Sequence, residues 1–409
     1  MSQEEVRSDG VLLTGATGFV GMELLARYLE RTDRPVYVLV RGASERAAAT
    51  RVERTLACLF GFGHPYAGRV TAVRGDVTRA GLGLRHGRGA LTERVNEVVH
   101  SAASVSFDLE LDAARAINVD GTRRVLEFAE RCRRRGSGLR RFSYVSTAYV
   151  AGRHSGYFSE DDLNRGQRFR NTYEQSKFEA ERTVAQRREQ LPITVLRPSI
   201  IVGARDSGWT SSFNVLYWPL RVFARGAYAA LPARGEAPVD VVPVDYVADA
   251  TFALSQAPEA EGATFHLTAG DQATSVGELV ELASAFFKRP APRLIDPLLY
   301  RRLLHPLLVR GARDERHRRS LRRSETFFPY FDMDVRYDDR RARVALRSSG
   351  IEPTPLPSYF DRLVQFALAA DWGRRELPRA RAAEAAAHAS SARRARRPRS
   401  TRRALELVR

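Results

Sequence analysis

Through its first 270 residues the chain alternates short apolar runs with longer stretches whose apolar positions recur at helical spacing. Val11-Leu12-Leu13 precedes Met22, Leu25 and Leu29, and Val36 to Val40 follows. Further runs at Val70 to Val77, Glu97 to Ala103, Arg141 to Val145, Ile193 to Leu196 and Thr264 to Leu267 read as strands. Ala113 to Arg135 reads as a helix, and Pro238 to Ala250 as a strand turning into one. Strand and helix in turn predict an α/β fold, a doubly wound parallel sheet. The alternation stops after Gly203, and from Thr274 the pattern predicts helices with aromatic clusters around Phe327–Phe331 and Tyr359–Phe366.

The first strand runs straight into Thr14-Gly15-Ala16-Thr17-Gly18-Phe19-Val20-Gly21. A glycine turn between a strand and a helix is the arrangement of a Rossmann dinucleotide site. Gly15 permits the turn, Gly18 lets backbone approach a pyrophosphate, and Gly21 lets helix pack on strand, with the helix N-terminus facing the anion. The second strand ends at Arg41 with no acid to hold a ribose 2′-hydroxyl, which favours NADPH over NADH. Arg51, in the following helix, is either a second phosphate clamp or a solvated residue. Asp76 closes the third strand, where it either accepts from an adenine amino group or caps a turn. His100 is expected to be a satisfied residue at the edge of the core. Asn118, inside a helix, is expected to hold a kink or to bridge a water toward Lys177.

Lysine changes this picture. Lys and Arg together number 66, yet lysine occurs only at 177 and 288. Lys177 stands four positions after Tyr173 on a stretch that reads as a helix start, so both side chains leave one face. An ammonium beside a phenol is expected to lower its pKa. The fifth strand delivers Ser146 and Thr147 at its carboxyl end, where ligands of open α/β sheets gather.

Charge adds a partner class. The formal net charge of +18 calls for an anion: nucleic acid, an anionic membrane surface, or a phosphorylated or acidic substrate. Half of it belongs to residues 374–409, which carry twelve arginines against three glutamates and are expected to be a disordered tail. Cys58 and Cys132 stand in no metal or disulfide pattern, and residues 1–10 hold no apolar signal core, so a reduced, cytoplasmic protein without metal is expected. The longest apolar stretch, 215–233, is broken by Arg221 and Arg225, and no transmembrane helix is expected.

Taken in order, the glycine turn, Asp76-Val77, His100 to Ala103, Asn118-Val119-x-Gly121-Thr122, Val145-Ser146-Thr147, Tyr173-x-x-x-Lys177 and Arg197-Pro198 resemble the extended short-chain dehydrogenase/reductases over residues 10–270. The arginine-studded segment after Arg41, Gly75 to Thr78 with Gly81 to Leu84, and Asn171 to Glu181 make the chain most similar to the thioester reductase and fatty acyl-CoA reductase branch. The resemblance implies that Tyr173 donates a proton to a carbonyl and that Lys177 holds a nicotinamide ribose. It implies further that Thr147 polarises the carbonyl, with Ser146 as its rival, and that Asn118 completes a water relay. It places cofactor against Gly15, Thr17, Gly18, Phe19, Val20, Arg41, Arg51, Asp76, Val77, Ser101, Ala102, Ala103, Tyr173, Lys177, Pro198 and Ile200. It implies reduction of an acyl thioester on coenzyme A or an acyl carrier protein, attracted by the arginines of 301–323. On this reading residues 1–270 bind the dinucleotide, with a substrate segment at 204–240, and 271–373 form a smaller, mostly helical substrate region or lid. The aromatics from Trp209 to Phe223 either line an acyl channel or fill a core. A dehydrogenase of free ketones, a sugar-nucleotide epimerase, and a non-catalytic NAD(P) sensor whose tail touches nucleic acid are the alternatives.

Overall fold

The computed structural model describes residues 9–84, 88–135, 138–213, 215–226, 230–310, 330 and 332–382. Seven parallel strands form its main sheet: β1 (Gly10–Thr14), β2 (Val36–Val40), β3 (Val70–Arg74), β4 (Val95–His100), β5 (Arg141–Val145), β6 (Ile193–Pro198) and β7 (Thr264–Leu267). Their order across the sheet is β7-β6-β5-β4-β1-β2-β3, so the direction of winding reverses between β1 and β4. This is the doubly wound Rossmann arrangement.

The apolar runs are continuous because both faces are covered. Val11, Leu13, Val36 and Val38 face α1 (Phe19–Arg31) and α2 (Glu45–Phe60). Leu12, Leu39, Val98 and Phe142 face α3 (Leu111–Arg135) and α4 (Thr172–Ala185). A fifth long helix, α5 (Val244–Gln256), packs beside α1.

Outside the sheet, short ladders join segments far apart in sequence. Gly156–Phe158 pairs with Val335–Tyr337, Ala230–Pro232 with Arg293–Ile295, and Ile200–Val202 with Val241–Pro243. Around them Tyr217, Leu220, Phe223, Leu231, Leu279, Phe360 and Leu363 make a separate core. Trp209 is buried as well, tilted against Phe19 at 5.8 Å. Phe213, Trp218 and Val222 of the same segment are half-buried.

The expected disorder of 374–409 fails at its start, and residues 383–409 lie outside the described residues. Residues 374–382 cross α1 and α2: Leu377 and Ala382 join the first core, Trp209 Nε1 donates to the Leu377 carbonyl at 3.1 Å, and Arg379 pairs with Glu23 and Glu30. A basic composition did not prevent this, because half-buried Leu377, buried Ala382 and the carboxylates of Glu23 and Glu30 were available. Among the described residues no helix is long and apolar enough to cross a membrane.

Candidate active site

The glycine turn is closed by backbone at Gly15 and Gly21. Gly15 has φ +77°, and a Cβ there would lie 2.7 Å from the Ala102 nitrogen; a Cβ on Gly21 would lie 2.1 Å from the Gly15 carbonyl oxygen. Only glycine fits at either position. Gly18 is different, since its hypothetical Cβ meets nothing nearer than 3.3 Å and the residue is exposed. Thr17, Phe19 and Val20, half-buried, start α1 around it, while Ser101, Ala102 and Ala103 pass behind. The amide of Ala102 donates to Thr14 Oγ1 at 3.2 Å, which fixes the end of β4 against the end of β1.

Beside the turn, a cleft of about 850 Å³ opens at the ends of β2 and β3, lined among others by Arg41, Arg74, Asp76, Arg79 and Arg94. Among the described residues Arg41, Arg79 and Arg94 form no ion pair, and with Arg74 they outnumber the acids of the lining, Glu45 and Asp76, so the cleft is net cationic. Arg51 donates to the Arg41 carbonyl at 3.2 Å and reaches Thr17 Oγ1 at 3.4 Å, linking the cleft to the turn. Asp76 caps the following turn, accepting from the Thr78 amide at 2.9 Å, and still lines the cleft. Val77 packs into the second core.

On the other side of β1, α4 carries Tyr173 and Lys177. Asn171 caps its start by accepting from the Glu174 amide at 3.0 Å, and Glu174 accepts from the Arg170 amide at 2.8 Å. Tyr330 locks this cap from the C-terminal side: Asn171 Nδ2 donates to its hydroxyl at 2.7 Å, and that hydroxyl donates to Glu174 Oε1 at 3.0 Å. Phe107 stacks on Tyr330 at 5.4 Å and leans on Tyr173 at 5.8 Å, giving the phenol an aromatic wall.

Burial pushes the pKa of Tyr173 up to about 12, against the opposing pull of the neighbouring Thr147 hydroxyl. The lowering expected from Lys177 is not what dominates here. The ammonium turns instead to the Tyr144 hydroxyl and the Val145 carbonyl, each at 2.9 Å, and burial pulls Lys177 down to about 7. A phenol held protonated at neutral pH is a proton donor in waiting. The two rival hydroxyls separate cleanly. Ser146 Oγ donates to Glu181, which is clamped by Arg197 Nη2 at 2.6 Å in a fully buried pair, whereas Thr147 is the hydroxyl that neighbours Tyr173. Thr147 Oγ1 also reaches the Pro198 carbonyl at 3.4 Å, and Ile200 stands two residues further, half-buried.

His100 is the satisfied core residue expected, 1% exposed and bonded at both ring nitrogens. Asn118 Oδ1 accepts from the Ser104 amide at 2.7 Å, and its Nδ2 donates to the Ser104 carbonyl at 3.1 Å and to Ser176 Oγ at 2.9 Å. Both amide hydrogens are committed to pinning the loop after β4 onto α4. Sequence reasoning missed Tyr144 and Tyr330. A tyrosine inside an otherwise apolar strand was the available signal for the first; Tyr330 had none beyond its aromatic neighbours.

Comparison with known proteins agrees with this geometry. The profile of the NAD-binding "Male sterility protein" family matches residues 13–251. The chain is 37% identical over 250 residues to the isonitrile lipopeptide synthase of Streptomyces coeruleorubidus, covering 60% of this chain and 16% of that protein. It is 29% identical over 284 residues to the fatty acyl-CoA reductase wat of Drosophila melanogaster, covering 60% and 54%. It thus spans about half, or much less, of the length of these relatives. Among solved structures, the terminal R domain of the myxalamid PKS-NRPS pathway superposes with a TM-score of 0.77 at 27% identity, covering 91% of this chain and 93% of that one. With the glycine turn, the strand-end hydroxyl and the Tyr/Lys helix all in their expected places, the chain belongs to the male sterility protein family of NAD-binding proteins, within the extended short-chain dehydrogenase/reductases.

Proposed function

We propose that this chain is an NADPH-dependent reductase of acyl thioesters, held on coenzyme A or on an acyl carrier protein, working in the cytoplasm and yielding an aldehyde, with the alcohol following if a second hydride arrives. The observation that carries this reading is the placement of Thr147 at the carboxyl end of β5, neighbouring the buried phenol of Tyr173, which stands one helical turn before Lys177 on α4. The glycine cradle suits a pyrophosphate, since only its exposed Gly18 edge is free of backbone. Arg41, without an ion pair among the described residues, suits a 2′-phosphate together with Arg51. Gly15, Thr17, Gly18, Phe19 and Val20 would hold the pyrophosphate. Asp76 and Val77 would hold the adenine, and Ser101, Ala102 and Ala103 the backbone side. Pro198 and Ile200 would flank the nicotinamide, with Tyr173 and Lys177 at its ribose. Bound there, the dinucleotide supplies hydride.

The protein's part is positional and electrostatic. Thr147 donates to the thioester oxygen as charge builds on it, and Tyr173 gives that oxygen its proton. The hydride has by then added to the carbonyl carbon; the carbon–sulfur bond breaks next, the hydroxyl proton is lost, and the carrier leaves as free thiol. The relatives named as a fatty acyl-CoA reductase and an R domain support the substrate class. The two unpaired cysteines fit a reducing compartment.

The test is a panel of acyl-CoAs with NADPH, following free thiol and NADPH together. One thiol per NADPH consumed, or per two where alcohol forms, is expected. Tyr173→Phe should lower turnover about 10²- to 10⁴-fold with unchanged cofactor affinity, and Arg41→Ala should erase the preference for NADPH over NADH. NADPH oxidation on free ketones without thiol release from any thioester would overturn the substrate assignment.

A further inference from the structure

Lys177 is 3% exposed, and an ammonium so placed needs acceptors. One is the Val145 carbonyl; the other is the hydroxyl of Tyr144, whose ring centroid also lies 4.5 Å from Nζ. The Tyr144 hydroxyl neighbours that of Thr122. Thr122 Oγ1 donates to the Asn118 carbonyl at 2.6 Å and lies 3.0 Å from His100 Nε2. His100 Nδ1 lies 2.7 Å from Thr14 Oγ1, which accepts from the Ala102 amide. Lys177, Tyr144, Thr122, His100 and Thr14 are each at most 3% exposed, so the file runs through the interior from α4 to the end of β1.

The hydrogens in this file follow by elimination. Thr122 has one, and it goes to the Asn118 carbonyl, so toward Tyr144 and His100 Thr122 can only accept. Nε2 of His100 therefore carries the ring hydrogen, and Nδ1 accepts from Thr14. Burial and the nearby Lys177 charge hold the pKa of His100 down to about 3, which agrees with a single ring hydrogen. Both arms converge on Thr122 and end on a carbonyl that takes no proton. The file fixes the ammonium and does not feed it protons. Tyr144, its hydrogen turned toward Thr122, shows Lys177 a lone pair.

We propose that Tyr144 is a positioning residue for Lys177, its hydroxyl oriented by Thr122 so as to fix the ammonium beside Tyr173. This rests on Lys177 acting in the proposed reduction. Tyr144 and Thr122 span the same end points, Asn118 and Lys177, between which the sequence predicts a water.

The groups facing Lys177 are Tyr173 and Glu181 on its own helix, Tyr144 on β5 and His100 on β4. Burial lowers the pKa of Lys177 and Glu181 raises it. Loss of the Tyr144 acceptor removes support for the charged form, so its pKa falls further. Turnover that needs the ammonium is lost as pH rises through that pKa, and Tyr144→Phe should move this alkaline limb toward acid by about one unit while kcat falls about tenfold. KM for the acyl thioester should hold. Thr122→Val should move the limb in the same direction, and Thr122→Ser should restore it. If Lys177→Met abolishes turnover while Tyr144→Phe and Thr122→Val leave the limb in place, the positioning role is wrong and the reading of Lys177 stands. The positioning role fails equally if both variants lower activity only in step with a lowered unfolding midpoint. If Lys177→Met keeps turnover, the reading of Lys177 itself falls, and the positioning role with it.

Discussion

Around the glycine turn backbone meets backbone, whereas around Tyr330 side chains meet side chains across 156 positions of chain. The first region is rigid by exclusion: Gly15, Gly21 and Ala102 are so close that no side chain fits between them. The second is held by choice of partner, with Asn171, Glu174 and Tyr330 each satisfying the next. Exclusion tolerates no substitution, while a network loses one bond at a time. The cofactor side should therefore break abruptly and the C-terminal side by degrees.

Gly21→Val is the sharpest test of that contrast. The Gly15 carbonyl 2.1 Å from the new Cβ is backbone and cannot step aside, so dinucleotide binding should be lost and stability should fall by about 3 kcal/mol or more. Titration of cofactor fluorescence and a denaturant curve would show it, and a variant that still binds NADPH would refute rigidity by exclusion. Tyr330→Phe should cost about 1–3 kcal/mol, since Asn171 Nδ2 and buried Glu174 each lose a partner. Its denaturant midpoint should drop with the slope unchanged.

A smaller effect is expected at Glu160, which ties the helix Arg340–Leu346 to β7 by accepting from the amides of His266, Arg341 and Ala342 at 2.8–3.0 Å. Burial pushes its pKa up to about 7. Between the ordinary carboxyl range and pH 7 the folded protein keeps a proton that the unfolded chain has released. Stability from this group is complete below that window and declines as pH rises through it. The difference in melting temperature between wild type and Glu160→Gln should slope across about pH 4.5–7 and level off above; a flat difference would mean that Glu160 titrates normally. Smallest of all, Arg340→Ala removes an ion pair to Asp338 from a side chain 86% exposed and should leave the denaturant midpoint unchanged.

What was legible in the sequence follows the same division. The glycine turn, the strand-end Thr147 and the Tyr173/Lys177 helix are short-range patterns whose residues act within one turn or one strand–helix step, so their spacing already encodes their geometry. Arg197 and Glu181 stand in recognisable motifs, yet their buried pairing depends on β6 lying beside α4, which spacing does not express. Asn118 likewise has partners, Ser104 and Ser176, that come from two other segments. Tyr144 stayed hidden because a strand interior reads as core, and only the position of Lys177 above it turns its hydroxyl into an acceptor.

The distribution of cations bears on what this protein makes. Aldehydes condense with primary amines to give imines and leave guanidinium groups untouched. With every side-chain cation but two written as arginine, Lys177 sealed in the interior and Lys288 exposed at the end of its helix, a released aldehyde meets a single accessible side-chain amine. Toward the aldehyde proposed as product, the arginine-rich surface would present one exposed side-chain amine.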